Sequence, residues 1–373
     1  MEQGQERIPA LDGLRGFAVL IVVISRFQPY PLAPEGWIER LWVGVVSLGY
    51  AGVDLFFVLS GFLITSILLR HRGSEHRFSA FYARRALRIL PLYYGLCALV
   101  LFAMPLIGRG PPNGGGAIYN LLFLQNFKGL FPIPEHMFLN VTWSLAIEEQ
   151  FYLVWPFLIW FFGASRAFYA IIAVLAATVA CRAGLYLQGF PVEKIYLWTF
   201  TRLDGISLGS ILAIAWAQPE RYARLLGFFR RQIVVSAPLL AGIVVLSALA
   251  PRSTFLAFEP GMMLVGFLLV ALIFTSMVLK ALEQPKFAAA FSSSPLRSCG
   301  RYSYAMYLIH TPVIITLGEV IHSRPLNIVV ALIVTYLLGA LSWRLFEKRI
   351  LSLGRFFPYD RPKGPAPVAV TPA

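Results

Sequence analysis

Runs of about 20 apolar residues, the length an α-helix needs to cross the hydrocarbon core of a bilayer, recur along this chain and limit what it can fold into. About ten windows meet that length, over residues 8–27, 48–70, 86–107, 141–163, 166–187, 199–217, 231–250, 260–281, 301–321 and 326–347. In lipid every backbone polar group must be satisfied within its own segment, so such runs fold as helices. Composition agrees: 58% of the 373 residues are hydrophobic and 13% charged, with a mean hydropathy of +0.70, too apolar for a domain with a wet surface. The fold class expected is all-α, a polytopic membrane bundle of about ten transmembrane helices. The first window has no small-residue cleavage site after its apolar core, which reads as a retained helix and not a signal peptide.

Charge placement orients the bundle. The formal charge of +14 comes from cations in short clusters between apolar runs, as topology signals are, and argues against a nucleic-acid partner. The connections 70–88, 217–231 and 280–301 and the stretch after 347 hold most of these cations, while the alternate connections carry one or two each. The positive-inside rule then puts both termini in the cytoplasm, as an even number of spans in the cell (inner) membrane requires. Cys97, Cys181 and Cys299 fall on different segments without paired spacing, which suggests apolar packers, and no cluster has metal-ligand spacing.

Two stretches fall outside the windows. Residues 105–140 contain GRGPPNGGGA, then IYNLLFLQNF, too short to span, then FPIPEHMF. They read as a flexible outer loop with one interfacial helix, or as a lid or acceptor-binding loop. The domain division expected is a transmembrane domain over 1–350 and a disordered, Pro-rich cytoplasmic tail over 351–373.

Polar residues recur inside the windows, where lipid exposure would cost at least a few kcal/mol for each charge. Asp12, Arg15 and Arg26 accompany the first, with Arg15 and Arg26 eleven residues apart on one face, about 16 Å along the axis. Asp54 and Ser60 lie in the second, Arg84, Arg85 and Arg88 at the entrance of the third, Glu148 and Glu149 in the fourth, and Tyr304 and His310 in the ninth. Each has a bland explanation: Arg15 pairing with Asp12, Arg26 snorkelling to the interface, arginines setting topology, a lone histidine satisfied in the core. Together they suggest a polar cavity with a basic mouth and carboxylates deeper in, suited to a polyphosphorylated ligand because Arg binds phosphate bidentately.

The runs IPALDGLRGFAVLIVV, GVDLFFVLSGFLIT, FYARRALRILP, WSLAIEEQFYLVWP, YSYAMYLIHTPV and LSWRLFEKRI occur in this order. They resemble the acyltransferase-3 family of integral membrane O-acyltransferases over residues 7–350. The resemblance implies about ten transmembrane helices, an acyl-CoA donor, usually acetyl-CoA, taken from the cytoplasm, and a hydroxyl acceptor on a glycan, glycolipid or glycosylated small molecule. Arg15 matches the arginine that opens the family's Arg-x10-His pattern. Arg85 and Arg88, beside Arg84, match its basic donor-binding motif, and Glu148 and Glu149 match its paired acidic residues.

Position 26 departs from the pattern. The family's catalytic histidine is expected there, and the residue is Arg26, with no gap that restores a histidine nearby. An imidazole can accept a hydroxyl proton near neutral pH, whereas a guanidinium cannot be deprotonated in a protein. Three readings follow: an inactive substituted form of an active enzyme, a natural member that has lost or rewired catalysis, or an enzyme that uses His310 or Glu148 and Glu149 instead. A catalytically silent membrane subunit and a sugar or lipid transporter are the rival functions, the transporter disfavoured by the absence of an internal repeat.

Overall fold

A computed structural model describes residues 8–26, 47–107, 116–134, 136–249 and 256–360, and among them no β-strand forms. The principal helices are α1 (Pro9–Ser25), α2 (Gly52–Arg70), α3 (Arg77–Ala98), α4 (Trp143–Phe157), α5 (Gly163–Leu187), α6 (Asp204–Ala217), α7 (Ala223–Arg231), α8 (Ile233–Leu249), α9 (Phe267–Glu283), α10 (Ser294–Gly318) and α11 (Arg324–Ser342). Pro9 opens α1, where its missing N–H costs nothing, and Asp12 in the first turn complements the helix dipole. Helix α3 runs on through a wide turn at Leu99–Ala103, and α4 through another at Leu158–Phe162.

The chain is a multi-pass membrane protein, an all-α polytopic bundle. Among the described residues five helical stretches are long and apolar enough to cross a membrane, and a sixth appears if the bent pair α7 and α8 is taken as one. One stretch, Asn140–Leu187, has 48 residues, about 72 Å of helix against roughly 30 Å of hydrocarbon. Gly163, at φ 80°, breaks it into α4 and α5, and any side chain there would run into the Arg72 guanidinium. The windows at 8–27 and 199–217 become α1, of 17 residues, and α6, of 14. Ten residues of α1 and twelve of α6 are buried, so both helices pack through the bundle centre.

Backbone approach at small residues holds this centre together. A Cβ on Gly16 of α1 would lie 2.0 Å from the Leu296 carbonyl, and one on Gly300 of α10 would lie 1.8 Å from the Asp12 carbonyl. Helices α2 and α6 meet the same way, at Gly61 against the Ile206 carbonyl and Gly209 against that of Val58. In lipid, where apolar surfaces gain little by meeting one another, such close packing supplies the association.

Two buried ion pairs lock the same region. Arg182 of α5 and Asp204 at the start of α6 form a two-pronged pair at 2.6 and 2.9 Å, and Arg182 also donates to the carbonyls of Met263 and Thr201. Arg202 donates to Asp54 of α2 at 3.0 Å, with its guanidinium 3.8 Å from the centre of the Phe267 ring. Sequence reading singled out neither Arg182 nor Arg202, although both lie in apolar windows.

The stretch after residue 350, expected to be disordered, is docked as far as residue 360. The carbonyl of Phe357 accepts from Arg84 Nε at 2.9 Å, Tyr359 stacks on His71 at 3.7 Å, and Asp360 accepts from Ser74. Phe357 and Tyr359 give this stretch apolar surface to bury before the Pro-rich run begins, and residues 361–373 lie outside the described residues.

Gly16→Leu should prevent folding, because the carbonyl it meets is backbone and cannot move aside, whereas Gly184→Ala, with open space around its added carbon, should leave the yield unchanged. Asp204→Leu should destabilise by about 3–5 kcal/mol, and adding Arg182→Met should recover part of the loss, because the first change alone strands a buried charge. Thermal unfolding in detergent checks both expectations; equal stability of the single and double variants would remove the ion-pair argument.

Candidate functional site

Helices α1, α2, α3, α4 and α10 enclose a cavity of about 100 Å³. Arg15 reaches it from α1, Ser60 from α2, Arg85 and Arg88 from α3, Glu148 and Tyr152 from α4, and Tyr304 and Tyr307 from α10. Positions 85 and 88 are three residues apart, so one helix face delivers both guanidiniums. Among the described residues Arg15, Arg85 and Arg88 form no ion pair or hydrogen bond. Aromatic faces support two of them instead: Arg85 lies 5.6 Å from the Tyr152 ring, and Arg88 lies 5.9 and 5.8 Å from the rings of Tyr304 and Trp343.

Three cations against the one carboxylate give the cavity a net positive lining. Glu148 accepts a 2.7 Å hydrogen bond from the Tyr152 hydroxyl, which fixes its orientation. Tyr307 donates to the Val141 carbonyl at 2.9 Å and shares a 2.6 Å hydrogen bond with Ser144; Tyr304 donates to the Ile89 carbonyl at 2.6 Å. The polar wall is thereby held before any ligand arrives, while the guanidiniums keep their donors free.

The remaining expected site residues lie elsewhere. Arg84 points to the C-terminal stretch, because it sits one residue, about 100° of helix rotation, from Arg85. Asp54 belongs to the Arg202 ion pair, and Glu149 does not line the cavity, its Oε1 buried without a partner. His310 is fully buried, with Nδ1 2.6 Å from the Tyr307 carbonyl and Nε2 unpartnered. Asp12 lies three residues before Arg15 and interacts with it electrostatically without forming an ion pair. Arg26 caps α1 with an exposed side chain, yet its charge is close enough to act on Tyr307, His310 and Tyr196.

A family model described as an acyltransferase domain, acyltransferase type 3, matches residues 8–344. The chain belongs to the acyltransferase-3 family. Its relatives include the protein YrhL of Bacillus subtilis (strain 168), 31% identical over 94% of this chain and 56% of its own length. The peptidoglycan O-acetyltransferase OatA of Listeria monocytogenes is 28% identical over 93% of this chain and 56% of its own length, and the O-acetyltransferase OatA of Staphylococcus aureus is 28% identical over 93% and 58%. The chain thus spans a little over half the length of these relatives. No solved structure gives a match.

Within this acyltransferase-3 chain, the 116–134 stretch does not line the cavity but is tied to the helices around it by side-chain amides. Asn126 donates to Thr199 at 2.8 Å, and Gln150 donates to the Phe123 carbonyl and to Asn126 at 2.7 and 3.0 Å. Gln125 donates to the Tyr93 hydroxyl and the Thr142 carbonyl at 3.1 and 3.0 Å. Sequence reading missed these amides; the available signal was Gln150 directly following Glu149 inside an apolar window. The preceding residues 108–115 and Glu135 lie outside the described residues.

Arg84→Ala should release the C-terminal stretch and raise chymotryptic cleavage at Phe356, Phe357 or Tyr359 several-fold, while Arg85→Ala, on the cavity face, should not. Equal cleavage of the two variants would break the division of labour between these neighbours.

Proposed function

We propose that this chain transfers an acyl group, acetyl in the simplest case, from acyl-CoA to a hydroxyl of a glycan. The observation that carries the reading is the trio Arg15, Arg85 and Arg88, which converge from two helices on one cavity without carboxylate partners. Phosphate oxygens would complete all three, each charged contact contributing about 1.5–3 kcal/mol. At about 100 Å³ the cavity is too small for a whole nucleotide. The nucleotide of CoA therefore stays at the cytoplasmic end of α3, in the orientation the charge distribution predicts, and the pantetheine arm threads inward past Tyr307.

In this reading the acceptor hydroxyl oxygen attacks the thioester carbonyl. The carbon–oxygen bond forms, the carbon–sulfur bond breaks, CoA leaves as its thiolate, and the hydroxyl proton passes to a base. Glu148, held by Tyr152, and His310, whose Nε2 is unpartnered, are the groups in this chain that can accept it in place of the imidazole absent from position 26. The relatives named as peptidoglycan O-acetyltransferases make peptidoglycan the first acceptor to try. A second reading rests on Arg26 itself: a silent membrane subunit that binds donor without turning it over.

Calorimetry with CoA should show affinity falling roughly tenfold or more for each of Arg85→Ala and Arg88→Ala; unchanged affinity would sink the donor site. Arg26→His should raise acetyl-CoA turnover by about 10²–10⁴-fold, with an ionisation near neutral pH in the rate profile. Transfer no faster than in Arg26→Ala would favour the silent subunit, and ordinary enzymatic rates in the parent chain would show that position 26 is not limiting.

A further inference from the structure

Helices that contribute nothing to the first cavity build a second basic site. The 41° bend between α7 and α8 opens a cleft of about 870 Å³ against α9, lined by Arg224, Gly227, Phe228, Arg231, Val235 and Leu272 among others. The sequence ARLLGFFRR explains its shape. Leu226 and Phe229, 2% and 1% exposed, anchor α7 to the bundle. Arg224, Gly227 and Arg231, at i, i+3 and i+7, share the opposite face. Gly227 sits between the two arginines, and a Cβ placed on it would meet nothing within 4 Å.

The cleft's other polar groups are already satisfied. Arg230 is clasped by Glu283 through hydrogen bonds of 2.6–3.2 Å. The Gln232 amide donates to the Leu272 carbonyl at 2.7 Å, and Ser236 donates to the Gln232 Oε1 at 2.6 Å. Among the described residues Arg224 and Arg231 alone of the lining cations form no ion pair or hydrogen bond. Beside them the wall is apolar and open, with Phe228 50% and Val235 62% exposed, and it continues along α8 through Val234 and Leu239. In a bilayer that wall faces acyl chains, so a ligand with an anionic head and an apolar tail meets both surfaces at once, whereas a soluble anion meets only the guanidiniums.

We propose that this cleft binds an anionic phospholipid, its phosphate held between Arg224 and Arg231 over Gly227 and its acyl chains lying against Phe228, Val235 and Leu272. The lipid would wedge the bend between α7 and α8 and fix α7 at the membrane surface. This site is independent of the acyl-transfer reading, since it shares no residue with the arginine cavity.

The test uses the full chain purified in a neutral detergent, with lipid binding followed by native mass spectrometry and thermal unfolding. Phosphatidylglycerol is expected to bind and to raise the unfolding temperature, while phosphatidylcholine and glycerol 3-phosphate at the same concentration do neither. Arg224→Gln with Arg231→Gln should weaken phosphatidylglycerol binding by about 25-fold, at about fivefold per arginine near a membrane surface. Gly227→Leu should also weaken it while keeping the folded yield, because its side chain enters open space and leucine is the better helix former. Equal binding of phosphatidylglycerol and phosphatidylcholine would overturn the proposal. So would glycerol 3-phosphate stabilising as much as the lipid, which would mark a soluble-anion site, or lipid affinity within twofold of the parent in both variants.

Discussion

A guanidinium cannot shed its charge, so each arginine carried into an apolar bundle needs a countercharge, an aromatic face or a ligand. The architecture follows from how that requirement is divided. Arg182 is saturated by Asp204 and two carbonyls, and Arg202 takes Asp54 and the face of Phe267. These pairs tie α2, α5 and α6 together, although Nε and Nη1 of Arg202 and Oδ2 of Asp54 stay buried without a hydrogen-bond partner. Arg15, Arg85 and Arg88 are the complementary case: aromatic rings support the latter two, and carboxylates leave all three unpaired. The first group joins helices to one another, and the second keeps its donors free of protein acceptors.

The glycine crossings make that division possible. Helix α1 can present Arg15 to the same space as Tyr304 and Tyr307 only because Gly16 and Gly300 let α1 and α10 meet backbone to backbone. The contact between α2 and α6 at Gly61 and Gly209 likewise places Ser60 on the cavity while Asp54, six residues earlier, faces the Arg202 pair. One helix thus serves both the frame and the site.

How much of this could be read in the sequence depended on whether a signal was local. Arg85 and Arg88, three residues apart, announce a shared face, and Arg15, Ser60, Glu148 and Tyr304 stand out as polar residues in apolar windows; all of them reach the cavity. Arg84 and Glu149 carry the same signal and do not, because a displacement of one residue turns a side chain by about 100°, and hydropathy does not resolve that angle. Long-range pairing was invisible: the partners of Asp54 and Asp204 are set by tertiary approach, and the docking of residues 351–360 depends on His71, Ser74 and Arg84 far upstream. Hydropathy likewise does not distinguish apolarity that faces lipid from apolarity that fills the bundle centre, as in α6.

Arg15 and position 26 mark two separate points along α1. Arg15 lies in the cavity with Arg85 and Arg88, whereas position 26, about three turns on, is close enough for its charge to act on His310 and Tyr307. A donor anchored by its phosphates at the first point and reacting near the second must extend along α1, and Tyr307, which borders both, marks its path. In the proposed reading, a guanidinium in place of an imidazole at position 26 leaves Arg15, Arg85 and Arg88 untouched and alters only the far end, where its charge acts on the buried His310. On that reading donor binding and proton transfer occupy different points of the fold, so the loss or reassignment of the second need not disturb the first.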